Sequence, residues 1–214
     1  MQLLKRLAKK CLRRGQDSPR PPERFDLNTA LERTRSIRSN LTQDEMILLY
    51  ELATGVESGV IVEVGSFHGR STAVLSYAVM EADTPIYAID PHEDNVGVYG
   101  GVFHAGDRRA FFENMIKTQA YRNVRLINLD SHVAAAGWRP PIGLLWLDGD
   151  HTLEGVRLDI EGWFPHLLPG AKIAFHDATD PDIGPHQVIP ELLNKGYTET
   201  SGADRIRVLI APSP

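Results

Sequence analysis

The stretch that decides the fold covers residues 61–72 and reads Ile61-Val-Glu-Val-Gly-Ser-Phe-His-Gly-Arg-Ser-Thr72. The apolar run 60–64 predicts a buried parallel strand, and the small and apolar residues at 71–79 predict a helix packed on the sheet. Gly65 allows a sharp turn between them, and Gly69 lets a ligand approach the backbone. The segment therefore predicts a loop of the nucleotide-binding type, with a tight turn that binds nothing as the alternative.

Apolar runs and helical patterns alternate through the rest of the chain. Strands are predicted at 60–64, 86–89, 124–129, 142–147 and 172–175. Helices are predicted at 28–34, from Thr42 with a capping box to Glu45, and at 71–80, 107–119, 153–167 and 187–193. This alternation predicts an α/β fold with a doubly wound parallel sheet. Two final strands, 197–200 and 205–210, have no helix between them and predict an antiparallel hairpin.

Composition indicates one domain with an extension. The chain has 214 residues, of which 42% are hydrophobic, enough for one substantial core. Residues 1–24 carry eight Lys or Arg against two acids, about +6, and the remainder carries about −11. We therefore divide the chain into a basic arm with a Pro-rich linker (1–24) and a domain (25–214). The arm is suited to weak contact with an anionic membrane surface; a solvated tail or a contact between subunits of a homo-oligomer is the alternative.

The same composition excludes several classes of protein. Cys11 is the single cysteine, so an intrachain disulfide and a thiolate metal cluster are excluded. An acidic domain without a basic, aromatic-lined strip argues against nucleic-acid binding. No signal peptide or membrane-spanning run is visible, which predicts a cytoplasmic location.

Acidic side chains and histidines follow five predicted strands. They are Glu63, Asp90 with His92, Asp130 with Ser131, Asp148 with His151, and His176 with Asp177. The carboxyl ends of parallel strands meet at one edge of a sheet, where open α/β folds bind ligands. Asp90 is placed to accept hydrogen bonds from ribose hydroxyls. Each acid taken alone is also a plausible helix N-cap.

These residues resemble a known family. Glu-x-Gly-x-x-x-Gly-x-Ser at 63–71, Asp90, Asp130, Leu-Asp-Gly-Asp-His at 147–151 and Leu-Pro-Gly at 168–170 resemble class I S-adenosylmethionine-dependent methyltransferases over residues 60–178. Residues 146–159 are similar to the branch that contains macrolide-sugar O-methyltransferases and proteins known as cephalosporin hydroxylases. The resemblance implies a Rossmann-like seven-stranded sheet, mostly parallel, with an antiparallel C-terminal strand, in agreement with the predicted hairpin.

The resemblance also implies the cofactor S-adenosylmethionine and its binding residues. They are Glu63, Gly65, Ser66, Gly69 and Ser71 around the methionine part, Asp90 on the ribose, and His92, Asp130 and Ser131 beside the adenine. An acidic setting suits a sulfonium cation better than a pyrophosphate. The third glycine of the dinucleotide loop is missing, which argues against the alternative of a nicotinamide-dependent oxidoreductase.

The expected reaction is O-methylation of a small-molecule hydroxyl on a sugar or natural product. The resemblance implies that His151 is the general base beside Asp148, although a histidine at a helix start paired with Asp148 or Asp177 is the alternative. It also implies a divalent cation, Mg or Mn, on Asp148, His176 and Asp177, where the imidazole shifts preference away from magnesium. The loop 91–106, with Tyr99 and Phe103, is long enough to form a lid over the acceptor. A non-catalytic cofactor-binding scaffold is a further alternative.

Overall fold

Seven strands form one sheet in the computed structural model, which describes residues 25–213. Its strands are β1 Val60–Val64, β2 Ile86–Ile89, β5 Val124–Ile127, β6 Ile142–Leu147, β7 Leu167–Phe175, β8 Thr198–Ala203 and β9 Ile206–Ile210. The strand order is β5-β2-β1-β6-β7-β9-β8. The basic arm, residues 1–24, lies outside the described residues.

The direction of the strands confirms the predicted fold class. β1 pairs in parallel with β2 and β6, and β6 pairs in parallel with β7. β9 lies between β7 and β8 and is antiparallel to both. The sheet is therefore Rossmann-like and mostly parallel, with the C-terminal strand inserted antiparallel.

Helices cover both faces of the sheet. They are α1 Leu27–Thr34, α2 Gln43–Thr54, α3 Arg70–Val79, α4 Asp107–Thr118, α5 Ser131–Ala136, α6 Leu153–Trp163 and α7 Gly184–Asn194. Alternate side chains of each strand face opposite layers. Val62 and Val64 of β1 pack in the cluster that includes α5, α6 and α7, whereas Ile61 packs with α2 and α3. The sheet therefore has a hydrophobic core on each side.

Several element boundaries differ from those predicted. The predicted helix 153–167 ends at Trp163, and a 3₁₀ turn, Phe164–His166, follows because Pro165 has no N–H to continue the helix. β7 begins at Leu167, earlier than predicted. α5, only six residues long, was not predicted, nor was the two-stranded antiparallel ribbon of β3 Asn95–Val96 and β4 Val102–Phe103. Short elements give too little periodicity to be recognised in the sequence.

None of the helices in residues 25–213 combines the length and the apolar character needed to cross a membrane.

Candidate functional site

The β1–α3 loop, which we call the cofactor loop (residues 65–69), is held in a fixed shape by two glycines. Gly65 has a φ of +84° and Gly69 a φ of +82°. A Cβ on Gly65 would lie 2.2 Å from the backbone oxygen of Asp148. A Cβ on Gly69 would instead meet Phe111 and Met115 of α4, so this glycine permits close helix packing. The approach of a ligand to Gly69 stays a prediction.

Glu63 lies behind the cofactor loop. Its side chain is fully buried and accepts hydrogen bonds from the hydroxyls of Ser71 and Thr72 on α3. Burial raises the pKa of Glu63 to about 8, and the two hydroxyls only partly oppose this rise. The carboxyl group is therefore neutral near pH 7 and ties the first strand to the helix that follows it.

Asp90, directly after β2, holds the cofactor loop by hydrogen bonds. Its Oδ2 accepts hydrogen bonds from the backbone N–H groups of Ser66 and Phe67, at 2.9 and 2.7 Å. Its Oδ1 accepts one from the N–H of His92, at 2.8 Å. A carboxylate oxygen has two lone pairs, so Oδ1 keeps one acceptor site. The structure therefore brings Asp90 and Ser66 together as the prediction required.

His92 has a different setting from the other predicted adenine contacts. Its side chain is 1% exposed, and Nε2 lies 2.8 Å from the carbonyl oxygen of Phe67. Nε2 therefore carries the proton and donates it to that carbonyl. His92 holds the cofactor loop from behind, and a direct contact with adenine stays a prediction.

Asp130 and Ser131 lie at the start of α5, beyond the end of β5. Asp130 occupies the N-cap position but its side chain makes no capping hydrogen bond, and it is exposed. The Ser131 hydroxyl accepts a hydrogen bond from the indole of Trp163 at 2.7 Å. Burial raises the pKa of the nearby Asp159 to about 6, and Ser131 only partly opposes this rise. Sequence reasoning did not identify Asp159, because its position in α6 resembles any surface acid.

The second half of the site is a group of side chains at the ends of β6 and β7, which we call the strand-end cluster: Asp148, His151, His176 and Asp177. His176 Nδ1 lies 2.8 Å from Asp148 Oδ1 and 3.4 Å from Asp177 Oδ2. His151 Nε2 lies 3.3 Å from Asp177 Oδ2 and 3.6 Å from Asp148 Oδ1. The four residues predicted for catalysis and metal binding thus lie together.

Two residues that the prediction missed support this cluster from behind. Arg205, in the β8–β9 turn, donates to Asp177 Oδ1 at 2.8 Å and to Glu45 Oε2 at 3.0 Å. Glu45, in α2, is fully buried, and its Oε1 lies 3.5 Å from His176 Nε2. Neither residue has a local sequence signal for this role, because they are 160 positions apart in the chain.

The neighbouring charges in the strand-end cluster shift one another's pKa values. Burial disfavours the charged form of His176, but its carboxylate neighbours, Asp148 foremost, outweigh burial and raise its pKa well above the usual value. Burial likewise opposes ionisation of Glu45, yet the nearby His176, the hydrogen bond from the backbone N–H of Thr42 and the cationic Arg205 hold its pKa below the usual range. A cationic His176 therefore lies beside the ionised side chains of Asp177 and Glu45 in a largely buried setting.

The cofactor loop and the strand-end cluster meet at one point. The backbone N–H of Asp148 donates to the carbonyl of Val64 at 2.9 Å, next to Gly65. β1 and β6 are neighbours in the sheet, although the chain runs from β1 outward through β2 and β5 before it returns to β6. This reversal of strand order is the place where open α/β sheets bind ligands.

The ribbon β3–β4 connects the two halves of the site. Phe103 packs edge-on against Phe67 of the cofactor loop, with ring centroids 5.4 Å apart. Tyr99 donates from its hydroxyl to Asp180 at 2.8 Å, and its ring centroid lies 6.5 Å from that of His151. The predicted lid loop therefore reaches from one half of the site to the other.

Three observations show what the site can accept. The Ser66 hydroxyl is buried without a hydrogen-bond partner among residues 25–213, so the cofactor loop has a free polar group. Nε2 of His151 also lacks a well-formed hydrogen bond within that part of the chain. Donor atoms of Asp148, His151 and His176 lie within 4.8 Å of one another, which fits one divalent cation. Two imidazoles and a carboxylate suit manganese, iron or zinc better than magnesium.

The fold and the site place this chain in a class of proteins. It is a Rossmann-like α/β protein with a nucleoside-type loop and an acid after the second strand. Residues 62–178 match the model of a family described as "Methyltransferase domain", which is more than half of the chain. The chain belongs to this methyltransferase domain family.

The chain is also similar to individual proteins. The chain is 30% identical over 123 residues to an uncharacterized protein, y4gI, of Sinorhizobium fredii, a match that covers 55% of this chain but 13% of that much longer protein. It is similar in fold to CalS11, a TDP-rhamnose 3'-O-methyltransferase in calicheamicin biosynthesis (20% identity, TM-score 0.59, 91% of this chain and 88% of that one).

Two further solved structures share the fold. The O-methyltransferase NovP is 13% identical with a TM-score of 0.64, over 81% of this chain and 82% of that one. The SAH-bound methyltransferase PaMTH1 of Podospora anserina is 14% identical with a TM-score of 0.62, over 100% of this chain and 96% of that one.

Proposed function

We propose that this protein is an S-adenosylmethionine-dependent methyltransferase that methylates a hydroxyl oxygen of a small-molecule acceptor, a sugar or natural product. The observation that carries the proposal is the contact between Gly65 and Asp148, which joins the cofactor loop to the strand-end cluster. A methyl donor on the loop and a hydroxyl at the cluster would then be neighbours. The printed descriptions of CalS11 and NovP as O-methyltransferases support the choice of oxygen.

The cofactor half of the proposal rests on Asp90 and Ser66. The free acceptor site on Asp90 Oδ1 suits a ribose hydroxyl, and the unpartnered Ser66 hydroxyl suits a polar group of the methionine part. PaMTH1, described as SAH-bound, supports this choice of cofactor. Roles for Glu63, Gly65, Gly69, Ser71, His92, Asp130 and Ser131 in binding the cofactor are proposed from the sequence resemblance alone.

The acceptor half rests on His151. S-Adenosylmethionine supplies an electrophilic methyl group to an oxygen nucleophile. As the new C–O bond forms and the S–C bond breaks, the hydroxyl proton passes to His151 Nε2, the nitrogen that lacks a well-formed hydrogen bond in the described part of the chain. Asp177 at 3.3 Å and Asp148 at 3.6 Å then stabilise the imidazolium. Asp148 also holds in position the proposed base His151, which lies three residues further along the chain.

A divalent cation is a proposed addition to this site. Asp148, His176 Nδ1 and Asp177 Oδ2 would hold it, and it would lower the pKa of the acceptor hydroxyl and fix its direction. Arg205 already engages the other oxygen of Asp177. A second assignment makes His151 the third ligand, since its donor atom lies within the same 4.8 Å grouping as Asp148 and His176.

The two assignments of His151 give different results in the variant His151→Gln. If His151 is the base, this variant binds Mn²⁺ as tightly as the wild type but transfers methyl groups about 10²–10⁴-fold more slowly. If His151 is a ligand, Mn²⁺ affinity falls together with the rate. Manganese binding is measured by the loss of the free-ion signal in electron paramagnetic resonance. His166→Gln, on the 3₁₀ turn away from both halves of the site, is the matched control.

The side chains of the ribbon β3–β4 favour a small planar or ring-shaped molecule as the acceptor. Val96, Val98 and Val102 are exposed, and so are the rings of Tyr99 and Phe103. An apolar surface of this size next to a catalytic cluster suits a sugar ring or an aromatic natural product.

Calorimetric titration of the full chain with S-adenosylhomocysteine tests the proposed function. We expect binding at one site, and Asp90→Ala is expected to weaken it at least tenfold because it removes the ribose acceptor and releases the cofactor loop. Asp83→Ala, an exposed loop acid, is the control and leaves affinity unchanged. Absence of binding by the wild type would overturn the proposal, and a response of NADH fluorescence would favour the nicotinamide alternative.

The basic arm is assigned a separate, accessory role: weak contact with anionic membranes. Removal of residues 1–24 is expected to reduce sedimentation with phosphatidylserine-containing vesicles without changing S-adenosylhomocysteine affinity. Unchanged sedimentation would refute the membrane contact, and a change in the oligomeric state of the shortened chain would favour the subunit contact instead.

A further inference from the structure

Arg70, the first residue of α3, directly follows the cofactor loop and has no anionic partner in the described part of the chain. Its Nε is buried and has no hydrogen-bond partner within residues 25–213. Burial lowers the pKa of Arg70, and no acid among those residues opposes this effect. A buried donor without an acceptor costs free energy, so it calls for a partner from outside the chain. Arg70 is therefore a cation without an anion, beside a ligand-binding loop.

A second arginine, Arg38 in the connection between α1 and α2, lies over the same loop. Its Cζ atom is 5.2 Å from the centroid of the Phe67 ring, which is within the range of a cation–π interaction. Arg38 is exposed, and it forms no ion pair with the residues that the structure describes. Phe67 thus keeps a second positive charge next to the cofactor loop.

The two arginines lie on the same side of the loop. Ile37, directly before Arg38, packs in one hydrophobic cluster with Ala73 of α3. Ala73 follows Arg70 by three residues, and residues three apart share one face of a helix. Both arginines therefore lie where the α1–α2 connection meets the first turn of α3. Two like charges in one region repel each other, and a negative group between them removes that repulsion.

We propose that Arg70, with Arg38 as the second cation, binds the α-carboxylate of the methionine part of S-adenosylmethionine. This inference rests on the proposed function and deepens it, because it names the side chains that recognise one end of the cofactor. The cofactor carries a sulfonium, an ammonium and a carboxylate group, so the carboxylate is its single anionic group. Neither arginine is among the binding residues that the sequence resemblance implies.

The chemistry of the groups around Arg70 suits a carboxylate. Nε–H and one Nη–H of a guanidinium form a side-on pair of donors that matches the two carboxylate oxygens. The N-cap of α3, Gly69, supplies no side chain to the free N–H groups of the first turn, and the positive end of the helix dipole favours an anion there. Ser66, a residue only 2% exposed, adds a hydroxyl without a partner among residues 25–213. The loop and its flanks thus offer both charge and hydrogen bonds to an anion.

Two ligands that differ only in the carboxylate test the proposal. S-Adenosylhomocysteine has this group, and decarboxylated S-adenosylhomocysteine lacks it but keeps the nucleoside, the sulfur and the amine. In calorimetric titrations of the full chain, we expect the wild type to bind the decarboxylated ligand at least about tenfold more weakly, because a charge-assisted pair is lost. Equal affinities of the wild type for the two ligands would overturn the proposal, even if a variant does not fold.

Arg70→Met keeps an unbranched side chain but removes the charge. We expect it to bind S-adenosylhomocysteine at least about tenfold more weakly than the wild type, and the decarboxylated ligand equally well. A merely structural role of Arg70 would weaken both ligands by the same factor, and that result would contradict the proposal.

Arg38→Met is expected to show the same selective loss to a smaller extent, because solvent screens an exposed charge. Selectivity equal to that of the wild type would contradict the part that Arg38 takes in the proposal.

Arg139→Met is the matched control. Arg139 is exposed and precedes β6, whereas the cofactor loop follows the opposite end of the neighbouring parallel strand β1. The affinities of this variant for both ligands are expected to equal those of the wild type. A selective loss in Arg139→Met would indicate a general effect of net charge and would contradict the proposal.

The same titrations separate this inference from the proposed function. If the wild type binds neither ligand, the proposed function fails and the inference fails with it. If it binds both with equal affinity, the inference alone fails. A response of NADH fluorescence that disappears in Arg70→Met would mean that the arginines bind a pyrophosphate, and this result would overturn both.

Discussion

The two halves of the site each contain a completely buried glutamate, one neutral and one ionised. Glu63, behind the cofactor loop, is surrounded by the hydroxyls of Ser71 and Thr72, and burial raises its pKa to about 8. Glu45, behind the strand-end cluster, contacts Arg205 and His176, which keep its pKa below the usual range against the effect of burial. Both side chains have no exposed surface, yet one is a neutral acid and the other a carboxylate.

The difference shows that the donors around a buried acid, together with the depth of its burial, decide its charge. Hydroxyl groups supply hydrogen bonds but no compensating charge, so the cost of desolvation prevails at Glu63. At Glu45, the cationic side chains of His176 and Arg205 stabilise the ionised carboxylate and offset the cost of desolvation. Glu63 is therefore part of a neutral, hydroxyl-lined support behind the cofactor loop, whereas Glu45 belongs to an ionic network behind the proposed base and candidate metal site.

The largest effect is expected where the two halves touch. Gly65→Ala places a methyl group 2.2 Å from the Asp148 backbone in a left-handed conformation, so it should destabilise the fold by about 4 kcal/mol and abolish S-adenosylhomocysteine binding. Gly100→Ala has a similar positive φ but nothing within 4 Å, and should cost about 1 kcal/mol. Urea denaturation measures both. Equal costs would show that the contact between the halves is not tight.

The charge of Glu63 can be tested by pH. A folded-state pKa of about 8, above the ordinary 4.5, means that the folded protein binds the proton more tightly, so the wild type loses stability as pH rises from about 4.5 to about 8. Each pH unit in that window removes up to about 1.4 kcal/mol. Glu63→Gln keeps the neutral shape and should flatten this slope.

Glu45→Gln should act in the opposite direction, because the lowered pKa of Glu45 makes it stabilising above pH 4.5 and ineffective below about 2. Denaturation curves from about pH 2 to pH 8.5, which cover both pH windows, compare the two variants. Parallel pH profiles for Glu63→Gln and Glu45→Gln would contradict the assignment of one neutral and one ionised glutamate.

A smaller effect is expected from the arginine that compensates Glu45. Arg205→Met leaves Glu45 and Asp177 without their cation and should cost about 2 kcal/mol, a value reduced because the guanidinium is 36% exposed. Arg207→Met, two residues away, removes a pair with Glu199 at the sheet edge and should cost less than about 1 kcal/mol. Equal shifts of the thermal unfolding temperature in Arg205→Met and Arg207→Met would contradict a special role for Arg205 behind the strand-end cluster.

The cofactor half was predictable because it is local in sequence. Glu63, Gly65 and Ser71 fall within nine positions, and Asp90 ends the next strand, so strand-and-turn rules place them together. The predicted parallel topology likewise places Asp148 and Asp177 at the same edge of the sheet. Glu45 and Arg205 were not predictable, because their contact joins helix α2 to the C-terminal hairpin across 160 positions. Asp159 was missed for a related reason, since burial of an acid in a helix depends on the neighbouring elements.

The most direct test of the two-part site is a crystal structure of the full chain grown with S-adenosylhomocysteine and Mn²⁺. We predict nucleoside density against Asp90 and the cofactor loop, and an anomalous manganese peak between Asp148 and His176 Nδ1, with Glu45 still behind the ring. Nucleoside density elsewhere, or a cofactor bound with no metal peak at the strand-end cluster at saturating Mn²⁺, would contradict the two-part site as described.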